Sequence, residues 1–238
     1  MHTVETTSRQ DRRKARTRAR IIDAAEGFFA AADADAATIA RIAQAADVAV
    51  ATVYQHFAGK DELHLAVVER ALERNEQHMM AVYLADAPPL DKLVDSVGAY
   101  LAFYLTSPPL FRLIALRQGV LSDESADNPV AVMLAERVDR MTRALAGVVE
   151  AGVADGSLRT VSPTDTARFL WGSMNGVIAL AQRPDRLRLS HDELLATLSQ
   201  GVDILLAGLV ADPDNRLPDA VREVITRAAE LHRPEGES

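Results

Sequence analysis

Residues 47–63 read DVAVATVYQHFAGKDEL, and they set Thr52, Tyr54, Gln55 and His56 almost side by side, with Phe57, Gly59 and Lys60 following. The first four side chains all hydrogen-bond. A buried helix would not carry four such groups on neighbouring positions, and a merely solvated one favours Glu and Lys over Tyr and His. The chemistry they suit is recognition of a polyanion. Thr52, Tyr54 and His56 bring short or rigid donors for phosphate oxygens, contacts that position a protein on a duplex without reading its sequence. Gln55 can pair bidentately with adenine, and Val50 and Ala51 suit a thymine methyl. Lys60 opens a helix whose free N–H groups attract a phosphate together with its ammonium. Phe57 is expected in a core. Tyr54 either joins it or stays on the open face.

Such groups need a rigid support, and the pattern around them is helical almost throughout. Ile21, Ile22, Ala25, Phe28 and Phe29 predict an amphipathic helix over 17–32, with Thr17 as its N-cap. Thr38 caps a second helix through Ala46, and a short third runs from Ala49 to Phe57, closed by Gly59 as a left-handed C-cap. Two short helices joined by a tight turn are the helix-turn-helix arrangement, whose second helix enters the DNA major groove. A long helix then starts at Lys60. Further helices are predicted from Leu90 to Leu105, over 108–118, 130–154, 163–182 and 190–209, and from Pro218 to about 231. Ser162 before Pro163, and Ser190 with Glu193, are helix starts with cap chemistry. Residues 121–129 read as a loop, and no strand-like alternation of useful length appears.

Composition narrows the function classes. There is no cysteine, which excludes disulfides and thiolate chemistry. No run of apolar residues is long enough to span a bilayer, and the first twenty residues lack the apolar stretch of a signal peptide. Arginine outnumbers lysine 23 to 3, as in a GC-rich bacterial genome. The net charge of −8 divides into +2 for residues 1–60 and −10 for residues 61–238. Between residues 9 and 20, seven cations, Arg13 and Arg16 among them, face only Asp11. This basic segment is either a solvated tail or an arm for a polyanion. Catalytic signatures are missing. Gly59-Lys60 lacks the other elements of a phosphate loop, and no G-x-G-x-x-G, H-E-x-x-H or G-x-S-x-G occurs. No cofactor or metal is expected, and the chain is not expected to be an enzyme.

TIARIAQAADVAVATVYQHFAGKDELHLAVV, residues 38–68, resembles the DNA-binding segment of the TetR family of tetracycline-repressor-type regulators. FLWGSMNGVIAL, residues 169–180, is similar to that family in the body. The resemblance implies an all-α fold: an N-terminal three-helix helix-turn-helix head plus a larger helical ligand-binding and dimerisation bundle. The expected division is a basic flexible arm at 1–16, a head at 17–60, a regulatory and dimerisation domain at 61–232 and a polar tail at 233–238. It places Thr38, Thr52, Tyr54, His56 and Lys60 at phosphate-contacting positions, and Val50, Ala51 and Gln55 where base contacts vary. Three positions depart from the family pattern. Asp47 replaces a glycine but tolerates left-handed backbone. Ala49 replaces a serine and cannot cap. Val50 replaces a polar or basic residue. The Arg-rich arm is expected to compensate for the polar groups that Ala49 and Val50 do not supply.

Within the body, Phe169, Gly172 and Gly176 form a region of small and aromatic residues on a helix apolar around most of its girth. With Leu198, Val202 and Leu205 of the following helix they are expected to build a two-fold four-helix interface. The other reading is an ordinary core helix. Phe103, Tyr104, Phe111, Met133, Met141, Trp171 and Asn175 either line a small-molecule pocket or fill the core. The acidic body suits a cationic ligand, or simply a surface that avoids non-specific DNA contact. The expected protein is a ligand-responsive dimeric regulator in the bacterial cytoplasm, at the nucleoid, repressing from a palindromic operator in double-stranded DNA. The alternatives are a ligand-independent DNA-binding protein and a helical enzyme that binds a small molecule.

Overall fold

The computed structural model describes residues 9–30, 38–106, 108, 111, 129–212 and 218–231. Most of the helix expected over 108–118, the loop up to residue 128 and the tail at 233–238 lie outside the described residues. Among the described residues there are nine helices and no strand, with one isolated antiparallel bridge between Leu158 and Val210. The chain divides into two compact units, Met1–Ala71 and Leu72–Ser238.

The first unit holds α1 (Arg9–Ala30), α2 (Ile39–Ala45), α3 (Val50–Tyr54) and the opening turns of α4 (Lys60–Tyr83). Its interior is built from Ile21, Ile22 and Ala25 of α1, Ile42 and Ala43 of α2, Val53 of α3, and Phe57, Leu63 and Val67, all buried. The unit therefore extends through the first turns of α4 and does not end at residue 60. Arg70 fastens α4 to α1 by ion pairs to Asp23 at 2.5 Å and Glu26 at 2.9 Å.

Two expectations need correction. The first helix begins at Arg9 and not at Thr17, so residues 9–16 are helical and not a flexible arm. Arg, Lys, Ala and Gln are good helix formers, and Asp11 in the first turn suits the helix dipole. Apolar periodicity registers only the buried half of such a helix. Gly59 is not left-handed. Among the described residues the positive-φ positions are Asp47 at 52° and Gly156 at 79°. The start of α4 is secured instead by Glu62, whose Oε2 accepts from the Ala58 N–H at 2.5 Å.

The second unit takes the rest of α4 and adds α5 (Pro89–Thr106), α6 (Pro129–Ala154), α7 (Pro163–Ala181), α8 (His191–Leu209) and α9 (Pro218–Leu231). Their apolar stripes share one core. Leu93, Leu101, Val149, Ile178, Leu194, Leu198 and Leu206 are all buried within it. Ser162 accepts from the Asp165 N–H to start α7, and Ser190 with Glu193 completes a capping box on α8. The last helix is weakly apolar in sequence, yet it buries Val221, Ile225 and Ala228. It lies close to α5 because Gly98 has no side chain. A Cβ there would stand 2.3 Å from Val224 Cγ1.

Candidate nucleic-acid interface and body cavity

The turn between α2 and α3 sets the geometry of the head. Thr38 caps α2 through the Arg41 N–H at 3.3 Å, and Asp47 takes the left-handed conformation that the tight turn requires. Ala49 at the N-cap of α3 makes no side-chain cap bond, as its methyl dictates. A device outside the turn holds it. Arg20 of α1 donates from Nη2 to the carbonyl oxygens of Ala46 at 2.5 Å and Asp47 at 2.8 Å. These are carbonyls at the end of α2, where a cation is favoured. Sequence reading placed Arg20 in the basic segment and missed this role. The repeat spacing of Arg16 and Arg20 gave no sign that one of them reaches across to this turn.

With Val53 and Phe57 facing inward, α3 presents its other side to solvent. Tyr54 is 56 % exposed and Val50 42 %. Ala51, Gln55, Lys60 and Thr38 are exposed, and Thr52 and His56 are half-buried. Tyr54 is thus on the open face and Phe57 in the core, at 1 % exposure. The basic half of α1 adds to this surface. The Arg18 guanidinium stacks 5.0 Å above the Phe57 ring, and Lys14 and Arg18 act electrostatically on His56. Burial, and then those two cations, hold the imidazole below its ordinary pKa. Arg9, Arg12, Arg13 and Arg16 are exposed along the preceding turns and border a shallow groove. Among the described residues no group of three His, Asp or Glu side chains is arranged to hold a metal.

In the second unit a cavity of about 60 Å³ lies between α4, α5, α6, α7 and α8. Met79, Tyr83, Tyr100, Trp171 and Met174 are among its walls. Of the residues expected to bind a ligand, only Trp171 lines it. Asn175 is buried and structural: it accepts from the Tyr100 hydroxyl at 2.7 Å and donates to the Trp171 carbonyl at 3.0 Å. Tyr104 and Phe111 are core residues, packed edge to face at 5.3 Å, with Phe103 also against Phe111 at 5.7 Å. Met133 and Met141 are half-buried on α6. The walls missed in sequence lie on all five helices, among them Met79 and Tyr83 on α4, Ser96 and Tyr100 on α5, Leu145 on α6, Met174 on α7 and Leu206 on α8. Met79 and Tyr83 stand four residues apart on α4, a spacing that puts both on one face.

On α7, Phe169 is 62 % exposed, and Gly172 and Gly176 face solvent. On α8, Ile204 is 63 % exposed and Leu205 half-buried, and these border a groove with Phe169 and Gly208. Leu198 and Val202 are different. At 2 % and 7 % exposure they point into the protomer's own core, in register with Leu194 and Leu206. They offer no surface to a partner. The α8 residue missed on the open side is Ile204.

A helix-turn-helix head with an open polar face, joined to a larger all-helical body, defines a DNA-binding transcriptional regulator. The sequence profile described as bacterial regulatory proteins, tetR family, matches residues 21–67, and that of the tetracyclin repressor-like C-terminal domain matches residues 93–205. The chain belongs to the TetR family. Its fold is similar to a TetR/AcrR regulator of Thermobifida fusca, at 21 % identity over 80 % of this chain and 97 % of that one, with a TM-score of 0.63. It is similar to the FadR regulator of Bacillus subtilis solved with stearoyl-CoA, at 18 % identity over 80 % and 98 %, TM-score 0.62. It is also similar to the ketosteroid regulator KstR2 of Mycobacterium tuberculosis, at 18 % identity over 82 % and 95 %, TM-score 0.57. No curated protein matches the chain. Among the described residues no helix is long and apolar enough to cross a membrane.

Proposed function

We propose that the chain is a dimeric, ligand-responsive repressor of a palindromic operator. The observation that carries this reading is the convergence of two elements on one surface. The open face of α3 shows Tyr54 and Gln55, and the basic turns of α1 bring Lys14 and Arg18 to its end at His56. Thr38, Thr52, Tyr54, His56 and Lys60 would hold phosphates, with Arg13 and Arg16 extending the electrostatic footprint. Gln55, Val50 and Ala51 would meet base edges. A five-residue recognition helix reads only a half-site. Two heads about 34–36 Å apart double the contact, and a two-fold dimer makes the operator palindromic. The apolar strip of Phe169, Gly172, Gly176, Ile204 and Leu205 supports pairing through α7 and α8. The α4 helix belongs to both units and is the element through which a body ligand would change head spacing. Such a ligand must prefer one spacing, by roughly 5.5 kcal/mol for full switching.

Selection of bound sequences from a random duplex pool, followed by salt titration of the winner, tests this directly. A palindrome bound by one dimer, with log K falling steeply with log salt, is the expected result. Uniform coating without a preferred site would favour the ligand-independent DNA-binding alternative.

A further inference from the structure

The recognition helix is the least secured element of the head. It has five residues, too few to hold a helix unaided, and Ala49 at its N-cap offers no side-chain acceptor. Its far end is fixed from inside, because Val53 and Phe57 are buried. Its entry has no such anchor: from Asp47 to Thr52 no residue is buried. The direction in which α3 leaves the turn therefore depends on the backbone at Asp47, where φ is 52°. A residue with a Cβ is disfavoured in that region, so something must hold it there.

Arg20 does so by a specific geometry. Its Nη2 lies 2.5 Å from the Ala46 carbonyl oxygen and 2.8 Å from that of Asp47. These oxygens belong to the two peptide groups on either side of the Asp47 Cα. Peptide groups are planar, so φ and ψ of Asp47 are the soft rotations between them. One nitrogen bonded to both planes fixes both rotations. Among the described residues no backbone N–H bonds to either oxygen. The Asp47 carboxylate, 3.8 Å from the same nitrogen and fully exposed, adds little. At the other end of α3 the Arg18 guanidinium covers the Phe57 ring at 5.0 Å. Two residues apart on α1, the arginines leave it in divergent directions and hold both ends of α3.

We propose that Arg20 is the positioning residue of the recognition helix: it takes the place of the cap that Ala49 cannot form, and operator affinity depends on it although it does not touch DNA. Its part in DNA binding rests on reading the chain as an operator-binding regulator. The competing role for the same side chain is a phosphate contact, as assigned to Arg13 and Arg16.

The full chain is compared with Arg20→Gln, Ala49→Ser and the double variant in two measurements. The first is amide hydrogen exchange without DNA. Arg20→Gln should speed exchange over residues 47–57 by about fivefold, the worth of one helix cap, and leave the second unit unchanged. Adding Ala49→Ser should restore most of the protection, so the two changes are non-additive. The second is affinity for a duplex selected by the unaltered chain, read across salt concentrations. Arg20→Gln should weaken binding by about fivefold or more, because fewer heads hold the competent conformation. The slope of log K against log salt should stay the same, since no phosphate contact is lost.

Unchanged exchange over 47–57 overturns the positioning role. Faster exchange that Ala49→Ser does not relieve overturns the substitution for a cap. Faster exchange in both units alike makes Arg20 a general stabiliser and overturns its specific role. A slope reduced by about 0.9 makes Arg20 a phosphate contact and overturns the claim that it acts at a distance. Unchanged affinity beside faster local exchange overturns its part in DNA binding. If no duplex is selected, the repressor reading fails by itself, and local exchange relieved by Ala49→Ser still upholds Arg20 as the anchor of α3.

Discussion

His56 stands at the point where α3 ends and the cations of α1 arrive. Its pKa is lowered by burial first and by Lys14 and Arg18 after that. A phosphate placed among these groups would offset the two cations and favour the imidazolium, so the pKa in the complex lies above that in the free protein. DNA binding then takes up a proton, and affinity strengthens as pH falls through the pKa of the complex. We expect tighter operator binding at about pH 6 than at about pH 8, at fixed ionic strength. His56→Gln keeps a donor and should flatten the slope. A slope that survives this change, measured by anisotropy of labelled duplex, removes His56 from the contact. At this scale the sequence was informative at most sites of local chemistry, Thr17 and Gly59 excepted. Thr38, Ser162 and Ser190 cap the helices they precede, and Asp47 turns left-handed, because each acts on backbone within three residues of itself. Arg20 was not legible, since its carbonyl partners lie 26 and 27 residues away.

Among the elements, α1 and the α5–α9 pair behave least as their sequences suggest. The first turns of α1 are solvated and still helical, so their cations are presented in a fixed array and not on a loose tether. Removal of residues 1–16 should weaken operator binding and reduce the log K against log salt slope by about 0.9 for each phosphate that is no longer neutralised. Unchanged affinity and slope would remove the arm from the interface. The close approach of α5 to α9 depends on Gly98. Gly98→Ala should push Val224 away and cost about 1–3 kcal/mol, read as a lower Tm in thermal unfolding. Helix existence was readable here from apolar spacing. The weakly apolar α9 and the solvated start of α1 show where that signal thins, because periodicity records burial and not helicity.

For the whole molecule, the central question is which apolar surface is left over once the chain has filled its own core. Leu198 and Val202 are used up internally, while Phe169 and Ile204 remain outside. Phe169→Glu with Ile204→Glu should leave the chain folded, since both positions are more than half exposed, but should abolish the proposed dimer in sedimentation velocity. Binding to the full palindrome should then fall to the level of an isolated half-site. A double variant that still sediments as a dimer would place the interface elsewhere.

The sequence by itself determined the helical class, the helix-turn-helix segment, the Thr38, Ser162 and Ser190 caps, and the types of side chain offered to a duplex. All of these follow from residue type and spacing over a few turns. Tertiary structure alone decided which way a two-faced helix turns, as with Leu198 against Ile204. It decided that Asn175 is spent on Tyr100, that Arg20 holds a turn, and that Asn75 and Arg137 each keep a buried atom without a partner. The physical reason is common to these cases. Cavities, orphaned atoms and leftover surface are differences between what several elements supply and what their packing consumes, and no single element carries that difference in its own sequence.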